Sequence, residues 1–161
     1  MHAQTRTLTL VTSLALIPGV ETGSGRLLER SSCKPVHAQM VERRSTTECR
    51  PGHSACFLGE VDGNHGLRGT TYFRADSVGT APAASPTFTP YAGAFEYATS
   101  RGVITTRETG VSSGAEGHVT AFQRITAGTG EFSGVTGFFD VHGTVGGGQV
   151  VTTVSGEICE P

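Results

Sequence analysis

The chain has no tryptophan, one lysine (Lys34) and one asparagine (Asn64) in 161 residues. Charge of one sign is also missing: 12 basic against 14 acidic residues leave a formal net charge of −2. Nucleic-acid binders gather their basic residues on one face. Here only Arg43 adjoins another basic residue, Arg44, so no nucleic-acid partner is expected. The scarcity of lysine has a second consequence. A phosphate-cradling loop of the G-x-x-x-x-G-K-[ST] type needs its ammonium, and no lysine follows Lys34. Long hydrophobic runs are absent too. The longest, Leu8 to Val20, is too short for a comfortable membrane crossing, so no membrane span is expected. Its length suits a signal peptide, although a first strand or an N-terminal arm would read similarly. Residues 1–35 are accordingly read as a signal peptide or flexible arm, and 36–161 as one domain.

Helical punctuation is scarce as well. No window of eleven or more residues carries an i, i+3, i+4, i+7 apolar stripe. Instead, short β-branched and aromatic runs recur between glycine clusters. They are 37–45, 55–63, 67–76, 91–100, 102–109, 117–126, 137–145 and 149–159. Eight such runs predict an all-β fold, a small eight-stranded antiparallel β-barrel, whose closure removes exposed sheet edges. The segment 77–90 holds Pro82, Pro86 and Pro90 and reads as an external loop or rim lid.

The cysteines number four: Cys33, Cys49, Cys56 and Cys159. An even count with one member near the C-terminus favours disulfides and an oxidising compartment, with three pairings open. Cys49, His53 and Cys56 could instead hold zinc, but their spacing is not the paired C-x₂-C type of structural sites. No metal is expected.

The most patterned stretch is "ITAGTGEFSGVTG" (125–137). Gly128, Gly130 and Gly134 are spaced one residue too long for a dinucleotide fingerprint, and no helix pattern follows. Phe132, Phe138 and Phe139 rule out a linker. A strand, a glycine-rich turn, a phenylalanine-anchored corner and a return strand remain. This stretch resembles the corner of the allene oxide cyclase barrel and the related dirigent proteins. The upstream "FEYATSRGVITTRETG" (95–110) is similar to the strands that precede that corner. "VTTVSGEIC" (151–159) looks like the closing strand of bacterial members. The resemblance covers about residues 55–161 and departs from the family at Ala127 and Thr136. It implies an eight-stranded barrel with a mostly apolar cavity, assembled as a homo-oligomer (dimer or trimer). It also implies cyclisation or coupling of a reactive small molecule with no cofactor. The plant cyclases use an acidic residue near their N-terminal strand, and Glu42 in "VERRS" stands in about that part of the chain. Their motif does not align here, so no catalytic residue is carried over.

Strand alternation groups the polar residues. Asp140 and His142 share one face, as do His118 and Arg124 on a neighbouring run, while Glu96 opposes Phe95 and Tyr97. Thr106 and Glu108 oppose Thr105 and Arg107. If the polar faces point inward, Glu96, His118, Arg124, Asp140 and His142 converge on a cavity, where histidine beside carboxylate can act as acid and base. If the apolar faces point inward, these residues are solvated on the outside. Two functions follow. One is a cofactor-free cyclase or isomerase that orients a mostly apolar reactive substrate in the cavity. The other is a non-catalytic, secreted, disulfide-stapled barrel that binds a small ligand or has a structural role.

Overall fold

The structure, a computed structural model, describes residues 32–115 and 117–161. The expected arm and the apolar run Leu8–Val20 lie outside the described residues, apart from the last few positions before 36. Eight antiparallel strands close into a barrel in chain order. They are β1 (Cys33–Ser45), β2 (Cys56–Gly63), β3 (Arg68–Val78), β4 (Thr89–Thr99), β5 (Gly102–Ser113), β6 (His118–Gly128), β7 (Thr136–Gly146) and β8 (Gln149–Cys159). The barrel closes where β1 pairs with β8, from Cys33 opposite Cys159 to Arg43 opposite Gln149.

The all-β barrel and its eight strands are as expected from the runs of alternating residues. The domain boundary is not. β1 begins at Cys33, so Cys33–Pro35 belong to the barrel rather than to a linker. Pro35 is tolerated there for a specific reason. Its carbonyl accepts a hydrogen bond from Asn64 Nδ2 at 3.0 Å, so its missing N–H lies on the same side, beyond the end of β2, where no strand bond is lost. Asn64 Oδ1 also accepts from the His37 backbone N–H at 2.9 Å. The chain's one asparagine thus extends the sheet past the β2–β3 turn.

All four cysteines are paired: Cys33 with Cys159 and Cys49 with Cys56. The first bond rivets the two strands that close the barrel, and the Lys34–Glu160 ion pair lies beside it. The second closes the β1–β2 loop. The zinc alternative fails because the sulfurs of Cys49 and Cys56 are bonded to each other. Two disulfides mark an oxidising, extracytoplasmic setting. Among the described residues no helix is long and apolar enough to cross a membrane.

The two ends of the barrel differ. At one end lies the 127–136 corner, with a single 3-10 turn at Gly130–Phe132. Gly130 and Gly134 adopt φ of +60° and +76°, a region where glycine is strain-free. A Cβ on Gly128 would lie 1.9 Å from the Phe132 carbonyl oxygen. Phe132 and Val135 are buried beneath this corner with Leu67, Ile104 and Ile158, so this end is plugged. An aromatic ladder rises through the middle: Tyr97 meets Phe139 edge-on at 5.5 Å and Phe95 at 4.7 Å, and Phe95 stacks on Phe73 at 5.8 Å. Towards the other end, beneath the β3–β4, β5–β6 and β7–β8 connections, side chains no longer fill the interior.

Candidate functional site

The unfilled part of the interior is a cavity of about 240 Å³. Its walls are mostly apolar, with Met40, Phe57, Phe73, Val119, Val141 and Val150 among them, and its mouth is framed by Val78, Thr89 and Gly114. Into this apolar space project two carboxyls, Glu42 from β1 and Glu108 from β5. β1 and β5 lie on opposite sides of the closed sheet, so the two acids face each other across the lumen. Both are buried, at 6% and 5% exposed.

Strand parity puts them there. On β1 every second residue from Val36 to Glu42 is buried: Val36, Ala38, Met40 and Glu42. On β5 the same alternation runs from Ile104 to Gly110: Ile104, Thr106, Glu108 and Gly110. The large apolar residues at the plugged end fix which parity faces inward, and two residues per step carries the same face to each acid. Glycines make room for the acids. A Cβ on Gly59 would meet Glu42 Cγ at 2.6 Å, and one on Gly110 would meet the Tyr91 hydroxyl at 2.6 Å.

The acids have unequal surroundings. Glu108 accepts from Gln123 Nε2 at 2.5 Å and from the Tyr91 hydroxyl. Gln123 is fully buried, and its Oε1 accepts from the Tyr97 hydroxyl at 2.6 Å. Burial pushes the Glu108 carboxyl up, and both donors oppose it by favouring the ionised form. Among the described residues Glu42 accepts from Thr71 Oγ1, at 3.3 Å. Burial first, and the charge of Glu108 second, push its carboxyl up to about 8 against the weak Thr71 contact. At neutral pH Glu42 therefore holds its proton; Glu108 is raised as well, and its two donors are what favour its ionised form. The phenols of Tyr91 and Tyr97 are pushed above their ordinary range, mainly by burial, and serve only as donors. Thr152, 2% exposed, lines the same cavity, and its hydroxyl has no hydrogen-bond partner among the described residues.

The five residues grouped from the sequence lie elsewhere. His118 and Arg124 on β6, and Asp140 and His142 on β7, are exposed on the outer face. The inward positions of these strands are Val119, Ala121, Gln123 and Ile125, and Phe139 and Val141. The two histidines sit diagonally, since His118 pairs with Thr144 and His142 with Thr120, and they line a shallow cleft on the outside. Glu96 is on the outer side of β4, where Arg50 holds its carboxylate through two bonds of 2.7 and 2.5 Å. Arg50 itself lies 4.2 Å over the Tyr72 ring. The inward convergence considered for these five does not occur, because the opposite parity carries the bulk the core needs.

Among the described residues no histidine, arginine or lysine lines the cavity. Ser112, in a glycine-x-serine-x-glycine string at 110–114, also lines it. It lies near the end of a strand leading into a tight hairpin, so it is no nucleophile elbow, which needs a strand-to-helix turn and a histidine partner. The chemistry available is that of two buried carboxyls with unequal hydrogen-bond partners in a mostly apolar space. No protein-family model, no curated protein and no solved structure matches the chain.

Proposed function

We propose that this barrel is a cofactor-free isomerase or cyclase, acting outside the cytoplasm on a small, mostly apolar molecule held in the interior cavity. The observation that carries this reading is the facing pair Glu42 and Glu108 in one apolar cavity: burial raises both carboxyls, but Glu108 alone of the two has two donors, Gln123 and Tyr91, that favour its ionised form, while Glu42 carries the charge of Glu108 on top of its burial. That inequality is how two carboxyls are assigned to acid and base work at one pH. Glu42 delivers its proton to a substrate oxygen as the bond to that oxygen opens or its charge grows. Glu108 takes a proton from the substrate, and Gln123 and Tyr91 hold the oxygen atoms that receive it. One proton enters the substrate and one leaves, so its mass is unchanged. Solvent at the mouth resets the two acids. The apolar walls fold a flexible substrate into a reactive conformer, where much of a cyclisation's rate gain arises.

The corner's resemblance to the allene oxide cyclase and dirigent barrels supports the same reading. So do the disulfides, for a protein delivered to an oxidising compartment by the signal peptide read at Leu8–Val20. The test is to incubate the oxidised protein with a panel of reactive epoxides, enones and polyenes. Products of unchanged mass but altered chromatographic retention are then sought, with Glu42→Gln and Glu108→Gln in parallel. Turnover lost in both variants supports the proposal. Binding without turnover in the native chain would favour the non-catalytic, ligand-binding reading.

A further inference from the structure

The cavity's charge goes further than its volume in saying what it can hold. Its ionisable lining consists of Glu42, Glu108 and Tyr91, with the Tyr97 hydroxyl behind Gln123. No cationic side chain faces Glu108 from any strand that lines the cavity. An anionic ligand would therefore enter a mostly apolar space that already holds acids and, among the described residues, offers no counter-charge, which is strongly unfavourable. A cation meets the reverse. It finds the Glu108 carboxyl, whose ionised form the Gln123 and Tyr91 donors favour, and the aromatic rings of Phe73 and Tyr91, 5.6 Å apart and edge to face, within the same cavity. The Thr152 hydroxyl, buried, lining the cavity and without a partner among the described residues, is an independent sign of a polar ligand atom. A buried hydroxyl with no partner is costly unless something completes it.

We propose that the cavity takes a small lipophilic amine in its protonated form, with the ammonium against Glu108, the apolar body among Phe57 and Phe73, and a second polar atom near Thr152. This rests on the acid–base reading above and names its substrate class. The proton that Glu108 removes is then one of the ammonium's own, which leaves a neutral, nucleophilic amine in the same cavity as the proton-bearing Glu42. An engineered cavity of about 150 Å³ holds benzene, so the larger space here suits one ring with a short chain.

The test uses three probes of one shape: 3-phenylpropylamine, 3-phenylpropan-1-ol and 3-phenylpropanoate. Each is titrated calorimetrically at pH 7 into the oxidised, full chain. The amine is expected to bind at least about tenfold more tightly than the alcohol, the size of one charge-assisted contact, and the carboxylate to give no binding heat. Glu108→Gln should abolish the amine's advantage while leaving alcohol affinity within about threefold (below one neutral hydrogen bond). If that variant does not fold, a pH series on the native chain replaces it: the amine's advantage should shrink as Glu108 is protonated on acidification, with alcohol binding unchanged. An alcohol that binds as well as the amine, or a preference that survives both Glu108→Gln and acidification, overturns the amine assignment and leaves the cavity reading standing. Binding by none of the three overturns both.

Discussion

Replacing Glu42 with glutamine should change how the protein's stability depends on pH. In the unfolded chain the Glu42 carboxyl has its ordinary value of 4.5, and in the barrel it is raised to about 8. Below pH 4.5 it is protonated in both states and contributes no difference. Between 4.5 and about 8 the native state binds more protons than the unfolded one, so stability falls as pH rises, and above about 8 the loss is complete. A tenfold change in proton affinity is about 1.4 kcal/mol, which puts the full loss on the order of 5 kcal/mol for this buried group. Glu108, raised in the same direction, adds to the slope. The ion-paired carboxylates Glu48, Asp76, Glu96 and Glu160 are held below their usual range, so they act at more acidic pH and do not confuse the window.

Guanidinium unfolding at pH 5, 6, 7, 8 and 9 without reductant reads this directly. The native chain should lose about 1 M in midpoint between pH 5 and 9, given typical slopes for small domains. Glu42→Gln should match it near pH 5, exceed it near pH 9, and keep only the residual slope from Glu108. A variant with the full native slope would refute the reasoning, because the carboxyl would then be hydrated in the folded state.

Three further expectations concern the frame of the site. Removing the Cys33–Cys159 bond, which spans 126 residues, should cost up to about 5 kcal/mol on chain-entropy grounds, against about 2.5 kcal/mol for Cys49–Cys56; paired alanine variants and thermal unfolding measure both. Tyr97→Phe leaves the buried Gln123 Oε1 without its donor and should destabilise by about 1–3 kcal/mol, again by denaturant unfolding. Asp140→Asn and His142→Ala lie on the outer face. They should shift stability by less than about 0.5 kcal/mol and leave probe binding in the cavity unchanged, as calorimetry would show.

The strands were legible in the sequence because alternation and glycine punctuation are local properties. β8 was read at its full extent, and most of the others to within a few residues. Which face pointed inward was less legible, because it is a property of the whole barrel. On β6 the polar set His118 and Arg124 includes Phe122 on the same face, now 48% exposed and stacked on Phe138, so a large apolar residue marked the wrong side. The better signal was present on β1 and β5. Counting by two from Met40 reaches Glu42, and from Ile104 reaches Glu108. A lone carboxyl within an otherwise uncharged parity series is a stronger pointer to a lumen than a cluster of polar residues. The distance between the two acids was not legible at all, since it depends on closure of β1 against β8. The disulfide pairing likewise became unique only once that closure placed Cys33 opposite Cys159.

The central claim is that Glu42 keeps its proton at neutral pH inside an apolar cavity. Carbon-13 NMR of glutamate side-chain carboxyls across pH 3–10 tests it most directly, with Glu42→Gln assigning the signal. The account requires one carboxyl that titrates near 8 and is lost in the variant. If every glutamate instead titrates in the ordinary carboxylate range, the cavity is wet, the two acids are equivalent, and the proposed division of labour fails.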